Sequence, residues 1–292
     1  MTPEQYCEEK AARSGSSFYY SFLFLPRERR SAIMALYAFC REVDDVVDEC
    51  NDPGLAAQKL FWWREEVARI EEGVPQHPVG LALQAARARF SLPVADLLEI
   101  IEGMAMDLLY ARYPDFQSLA LYCHRVASVV GRLAAAIFGM QDATTLRYAD
   151  DLGMAFQLTN IIRDIGEDAR RGRIYLPVEE LERFEVPAHD ILTNRYSENF
   201  VRLMRFQRQR AEDYYDSALA HLPACDRKAQ RPGLVMAAIY RTLLAEIAAE
   251  DFRVLHQRIA LGPLRKLWLA GKTWLHPAVP QNLAERASAK DK

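Results

Sequence analysis

Residues 151–170 read DLGMAFQLTNIIRDIGEDAR, and residues 31–50 read SAIMALYAFCREVDDVVDEC. At about 100° per residue, Met154, Leu158, Ile161, Ile162 and Ile165 fall on one side of the first stretch. Ile33, Leu36, Cys40, Val43 and Val47 do the same in the second, so both read as amphipathic helices. Their polar residues do not all point away from the apolar face. Gln157, Asn160, Asp164 and Asp168 follow i, i+3, i+7, i+11 along its flank. Tyr37, Arg41, Asp44 and Asp48 follow i, i+4, i+7, i+11 along the flank of the other helix. A polar stripe in that position lines a cleft between helices. Glu42, Asp45 and Glu49 lie nearly opposite the apolar face and are expected in solvent. A plain solvated acidic surface accounts for Asp45 and Glu49. It accounts poorly for Asp44 and Asp48, which share their stripe with a tyrosine and an arginine.

Outward from these two segments, the same periodicity predicts helices over 27–50, 54–72, 78–90, 93–111, 115–139, 144–170, 196–221, 232–259 and 262–271. Pro26, Pro53 and Pro93 sit at or just before helix starts, where a missing N–H costs little. Asp115, and Asp142 or Thr144, are the expected N-caps. No stretch alternates as a strand would. With no repeat or low-complexity linker to divide it, the chain is expected to form one all-α domain over residues 1–271. Residues 272–292 read as a polar, proline-interrupted tail.

The chain has 292 residues, half of them hydrophobic and 26% charged. That is ample material for a core and excludes disorder as the main state. A net charge of -3 leaves no basic field to hold nucleic acid. Its 5 cysteines are scattered without a CxxC spacing, which argues against a disulfide framework or a zinc site. The opening MTPEQYCEEK is unlike a signal peptide. No apolar run approaches the ~20 residues of a spanning helix, since Val126 to Met140 is broken by Arg132. A cytoplasmic protein is expected, with peripheral contact at the inner membrane face suggested by residues 265–275, RKLWLAGKTWL. There Arg265, Lys266 and Lys272 alternate with Trp268 and Trp274.

Two helices that each present a pair of carboxylates to a cleft need cations. Oxygen-only donors favour Mg²⁺, which keeps waters and substrate phosphates in its shell. A di-iron bundle is the rival arrangement, but it uses Glu-x-x-His motifs and neither stripe holds a histidine. Arginine outnumbers lysine 30 to 7, and Arg41, Arg163, Arg170, Arg171, Arg173 and Arg258 lie in or near the motifs. Guanidinium suits bidentate phosphate contacts. On the wheel Arg163 points away from its stripe. Just before the first acidic helix, residues 14–30 read SGSSFYYSFLFLPRERR. This segment either covers the core or places Ser16 and Ser17 on phosphate oxygens and rings such as Phe18 and Phe22 around an apolar tail. Aromatic faces also stabilise cations, so such a pocket suits ionisation of an allylic diphosphate.

Several stretches resemble the squalene/phytoene synthase family: YAFCREVDD (37–45), DDVVD (44–48), GMAMDL (103–108), YCHRVASVVG (122–131) and QLTNIIRDIGEDARRGRIYLP (157–177). The last is long and specific, and the resemblance runs from about Tyr6 to Arg265. It implies an all-α, isoprenoid-synthase-like fold that joins two prenyl diphosphates head to head, with Mg²⁺ at two Asp-rich motifs. Asp44 and Asp48 resemble the first metal site, and Asn160, Asp164 and Asp168 the second. Tyr37, Arg41, Gln157, Arg163 and Tyr240 match substrate-binding positions, Ser14 to Ser17 lie near diphosphate, and Arg258 resembles a late diphosphate-contacting arginine. Tyr122 resembles a tyrosine that acts in the proton loss closing a cyclopropane. His124, Arg125 and Ser128 depart from the common pattern and bear on the pocket shape near Tyr122.

Within the family, EEKAARSGSSFYYSFLFLPRERRSAI (8–33) and KLFWWREEV (59–67) look most like bacterial presqualene diphosphate synthases of hopanoid pathways. That resemblance implies two molecules of farnesyl diphosphate as substrate and presqualene diphosphate as product. The alternatives are an NADPH-dependent squalene synthase, a phytoene synthase acting on geranylgeranyl diphosphate, and, in another class, a non-catalytic helical assembly protein. The last should have lost its metal ligands, and all five are present.

Overall fold

Helix boundaries follow the breakers. Asp52 accepts hydrogen bonds from the Gly54 and Leu55 amides ahead of a helix with Pro53 in its first turn, and Gly73 ends that helix in the left-handed region (φ 86°). Asp115 caps its helix through the Ser118 amide at 2.7 Å, as expected. Asp142 accepts from the Thr144 amide at 2.9 Å, while Thr144 makes no side-chain cap of its own. The computed structural model describes residues 1–13, 21–22, 24–50 and 52–276. Its helices are α1 (Pro3–Arg13), α2 (Arg27–Glu49), α3 (Pro53–Glu72), α4 (Pro78–Arg87), α5 (Val94–Leu109), α6 (Phe116–Cys123), α7 (Val129–Phe138), α8 (Thr145–Arg170), α9 (Val178–Arg183), α10 (Ala188–Leu192), α11 (Glu198–His221), α12 (Arg231–Ala249) and α13 (Pro263–Leu275). Among the described residues there is no strand; one isolated parallel bridge joins Arg112 to Ile174.

Two apolar cores form. One gathers α1 to α5 with most of α7, around residues such as Phe39, Trp63, Leu97 and Leu133. The other gathers α8, α11 and α12, around Leu158, Tyr215 and Leu244. The long cavity described below lies between them, lined by residues of both. Two helical stretches, Phe116–Phe138 and Arg231–Ala249, are long and apolar enough to cross a membrane by composition, contrary to the expectation of none. The second is mostly buried and serves as core.

Four other expectations change. The predicted helix over 115–139 is split by a π-helical segment, His124–Ser128. Neighbouring helices press on both sides of it. A Cβ on Gly103 would meet Val126 Cγ1 at 2.6 Å, and one on Gly153 would meet Ser128 Cα at 2.5 Å. The predicted helix over 232–259 stops at Ala249, because Asp251 and Phe252 adopt left-handed φ values of 47° and 56° before a short 3₁₀ turn. The helix over 262–271 continues to Leu275, since no breaker stands between Gly271 and Pro277. Lys272 in its last turn complements the dipole, so four residues assigned to the tail belong to the fold. Finally, Glu42 and Asp45 are not in solvent. The unpredicted α1 lies across them, with Lys10 Nζ 2.9 Å from each and Tyr6 donating to Glu42 at 2.7 Å. The short α9 and α10 were likewise not predicted.

Candidate active site

The two acidic stripes meet at one end of the cavity. On α2, Arg41 reaches Asp44 at 2.6 Å and also bonds Asp45. Asp48 receives Arg171 at 2.9 Å and Arg173 at 3.2 Å, both from the chain that leaves α8. On α8, Asn160 donates to Gln157 at 3.3 Å. Asp164 accepts from its neighbour Arg163 at 2.8 Å and from Arg258 at 2.8 Å. Arg163, expected to face away, is thus drawn into the site, because its long side chain folds back along the helix onto Asp164. Arg258 arrives through the turn after α12. That turn packs on Gly166, whose Cβ would come within 2.5 Å of the Leu255 carbonyl oxygen. Tyr37, Arg41, Asp44, Gln157, Asn160, Arg163, Tyr240 and Arg258 all line the cavity. Asp164 stands at its rim through its bonds to the lining Arg163 and Arg258; Asp168 follows one turn along α8, and Asp48 one turn along α2 from the lining Asp44.

Burial and mutual repulsion set the charge states. Burial, together with Asp48, Asp45 and Asp107, pushes the Asp44 carboxyl up to about 6 against the pull of Arg41. Burial, Asp164, Asp107 and Glu167 push Asp168 up to about 7. Burial would also raise Asp164, but Arg163 and Arg258 overcome it and hold that carboxyl below its ordinary range. Among the described residues no three acidic, His or Cys side chains are gathered in ligand geometry, and guanidinium groups pair with Asp44, Asp48 and Asp164 instead. The donor set nonetheless fits a hard divalent cation. It is oxygen-only, two of its carboxylates are poorly neutralised, and the buried Asn160 Oδ1 has no hydrogen-bond partner. Asp44, Asp48, Asn160, Asp164 and Asp168 are the residues that would hold it.

Below the rim the cavity has a volume of about 430 Å³ and apolar walls that include Ile33, Leu36, Met104, Val130 and Leu243. Phe22 is among the rings that line it. Ser14, Ser16, Ser17 and Phe18 lie outside the described residues.

Tyr122 also lines the cavity, and its hydroxyl donates to Asp107 at 3.0 Å. The Tyr175 hydroxyl donates to the other oxygen of the same carboxylate at 2.9 Å. Tyr113, Tyr122 and Tyr175 stack with centroids 5.3 to 6.0 Å apart. Burial, and then the Asp107 charge, hold the Tyr122 phenol well above its ordinary range. Burial pushes Asp107 up to about 6 despite Arg173 and both phenols. Tyr122 is therefore a neutral phenol with its proton aimed at a carboxylate behind the wall. The sequence reading gave Asp107 and Tyr175 no role. Their signal is the single charged residue in the otherwise apolar last turns of α5, four residues after Gly103, which brings the helix against the π-helical segment. Neither Arg125 nor Ser128 lines the cavity: Arg125 donates to Glu99 at 3.0 Å, and the fully buried Ser128 donates to the Asp150 carbonyl at 2.8 Å.

Carboxylates and arginines at the mouth of an apolar cavity suit a substrate with an anionic head and an apolar tail. The chain belongs to the squalene/phytoene synthase family, whose sequence model matches residues 11–265. It is 38% identical over 257 residues to the phytoene synthase of Mycobacterium tuberculosis, covering 87% of this chain and 84% of that one. It is 34% identical over 285 residues to the 15-cis-phytoene synthase of Synechocystis sp., covering 94% and 85%. Among solved structures, a dehydrosqualene synthase in complex with ligand superposes with a TM-score of 0.83 at 28% identity, covering 94% of this chain and 97% of that one. The squalene synthase HpnC from Alicyclobacillus acidocaldarius gives 0.74 at 30% identity, covering 86% and 94%.

Proposed function

We propose that this enzyme joins two molecules of farnesyl diphosphate head to head, releasing one diphosphate and forming presqualene diphosphate. The observation that carries this reading is the continuity of one cavity from a rim of carboxylates and arginines to an apolar, aromatic-walled interior. Asp44, Asp48, Asn160, Asp164 and Asp168 would hold Mg²⁺, which would supply positive charge against the leaving diphosphate. The chain's own residues do the rest. Arg41, Arg163 and Arg258 exchange their aspartate partners for phosphate oxygens. The apolar walls exclude water from the allylic cation, and Phe22, Phe156 and Tyr240 offer it ring faces. C1 of the ionised molecule bonds to the C2=C3 double bond of the other, and loss of a proton from that C1 closes the three-membered ring. Tyr122 positions the acceptor of that proton by turning its hydroxyl from Asp107 to the departed diphosphate. Its own phenolate is too unfavourable in this burial to be the base, so the departed diphosphate takes the proton.

The exposed face of α13 supports peripheral contact of a cytoplasmic enzyme with the inner membrane face. Leu264 is 84% and Trp268 60% exposed, with Leu267 and Leu275 on the same side and Lys272 4.9 Å above the Trp268 ring. The helix borders the mouth, where Lys266 lines the cavity.

A second reading, phytoene synthesis from geranylgeranyl diphosphate, is favoured by relatives of that name at 34% and 38% identity. Incubation with each diphosphate and Mg²⁺, with and without NADPH, separates the readings. Presqualene diphosphate from farnesyl diphosphate, unchanged by NADPH, is expected. Squalene that appears only with NADPH, or clear preference for the longer substrate, overturns that expectation.

A further inference from the structure

The end of the cavity remote from the rim is closed by a polar clasp. Asp226 accepts from the Gln141 amide at 2.8 Å, the Asp142 amide at 3.1 Å and the Thr145 hydroxyl at 2.6 Å. Gln230 donates to the Ala135 carbonyl at 3.1 Å and the Gly139 carbonyl at 2.9 Å. These bonds pin the start of α8, the start of α12 and the end of α7 together. Tyr148 stands inside the clasp, on the first turn of α8. It lines the cavity, is 1% exposed, and its buried hydroxyl has no hydrogen-bond partner. A tyrosine in such a place fills length at the cost of an unsatisfied hydroxyl. Its ring fits because residue 233 is glycine. A Cβ there would overlap the Tyr148 hydroxyl and stand 3.4 Å from Cζ.

Distance gives this ring a consequence. Tyr148 and Asp164 belong to one unbroken helix, sixteen residues apart, or about 24 Å at the α-helical rise. An extended isoprene unit adds about 5 Å, four chain carbons at ordinary bond lengths. The rim-to-ring span therefore holds a diphosphate and a tail of about three or four such units. That is the range in which farnesyl and geranylgeranyl chains differ.

We propose that Tyr148, with the space left for it at Gly233, is the stop that sets the longest isoprenoid tail this enzyme accepts. The inference rests on the cavity being the tail pocket of the proposed reaction.

The test is competition among all-trans prenyl diphosphates of ten, fifteen, twenty and twenty-five carbons, with products resolved by mass. Tyr148→Ala should shift preference one isoprene unit longer, raising use of the longer tail relative to the wild-type optimum by about tenfold, the discrimination a few carbons give in an apolar pocket. Gly233→Ala should act in the opposite sense by forcing the ring into the cavity. Adding Tyr148→Phe to Gly233→Ala should recover the wild-type preference, because the hydroxyl is the atom a Cβ would overlap. Wild-type length preference in both single variants, each retaining helical circular dichroism, overturns the proposal. So does a Gly233→Ala defect that Tyr148→Phe leaves unrelieved, should Tyr148→Ala not fold. Wild-type protein that turns over none of the four overturns the underlying reading and the stop with it. Wild-type preference for the longer natural substrate corrects the product while leaving the stop to be judged by the shifts.

Discussion

Asp226, at the closed end of the cavity, is buried and accepts three hydrogen bonds. Burial alone would raise its carboxyl, but these donors hold it below the ordinary range. Asp168, at the open end, is half-buried among Asp164, Asp107 and Glu167 and is pushed up to about 7. One aspartate has its charge fully answered by the fold, and the other has its charge opposed by it. The closed end is built for stability and the open end for something that brings positive charge. The pH signs follow. Stability from Asp226 is present above the ordinary carboxylate range and lost as pH falls through its depressed value. Stability tied to Asp168 is present only when it is protonated, and is lost as pH rises through about 7.

The sharpest test exchanges the two ends. Asp164→Ala should lower turnover by on the order of a hundred- to a thousandfold, while helical circular dichroism stays intact. Asp168→Asn should likewise cripple turnover and, in metal-free protein at neutral pH, raise the melting temperature by removing an opposed charge. Near-normal turnover by Asp164→Ala in saturating Mg²⁺ would break the assignment of the open end.

The cavity wall should respond next. Tyr122→Phe removes the hydroxyl that points from the wall to Asp107 and should slow product formation by roughly a hundredfold. Asp107→Asn, which keeps a partner for both phenols, should do less. Equal, full activity in both variants would show that the tyrosine stack is only packing.

Asp226→Ala should behave as the inverse of the rim variants. It strands two amides and a hydroxyl and should cost about 3 kcal/mol of stability, read from urea unfolding. Turnover per folded molecule should remain ordinary at low temperature. The acid-side loss of stability attributed to this carboxylate should disappear with it. A catalytic defect without loss of stability would dissolve the distinction between the two ends.

The same contrast explains which parts were legible in the sequence. The rim was legible because its residues repeat along two helices, and helical periodicity turns spacing into a face. The helices over 27–50, 54–72, 78–90, 93–111, 144–170 and 196–221, and the proline and aspartate boundaries at 26, 53, 93 and 115, were legible for the same reason. The closed end was not. Asp226 and Gln230 act from a connecting segment through contacts of long sequence separation, and nothing local marks them. Arg163 was misdirected because a helical wheel places Cα atoms, while a guanidinium reaches several ångströms from its own. Glu42 and Asp45 looked solvent-facing because α1, with a short and mostly polar pattern, gave no sign that Lys10 would cover them. Asp107 was hidden by being single. Its meaning comes from Tyr122 and Tyr175, which arrive from elsewhere in the chain. Gly166, inside a long helix, was the one local clue that another backbone packs there, and it is what lets Arg258 reach Asp164.

The smallest expected effect concerns the surroundings of the open end. The apolar side of α13 lies beside the mouth, and nothing comparable marks the clasp at Asp226 and Gln230. Leu264, Leu267, Trp268 and Leu275 are exposed at helical spacing, with Lys272 over the Trp268 ring. Arg265 is held by Glu246 at 2.6 Å, so Lys272 is the more available cation of the two. Inserting one large apolar side chain into the acyl boundary is worth about 2 kcal/mol, and a basic residue adds about 1 kcal/mol on an anionic surface. A Leu264→Ala/Trp268→Ala variant should therefore sediment with phosphatidylglycerol vesicles at least about tenfold less than wild type. Lys272→Gln should lose less, and only at low salt. Turnover of short, water-soluble prenyl diphosphates should be unchanged in both variants, because neither residue lines the cavity. Equal partition of wild type and the double variant would remove the membrane from the account and leave this face as the end of a core helix. Reduced partition with unchanged chemistry would instead show that the open end is placed where a long-chain product can leave without crossing water.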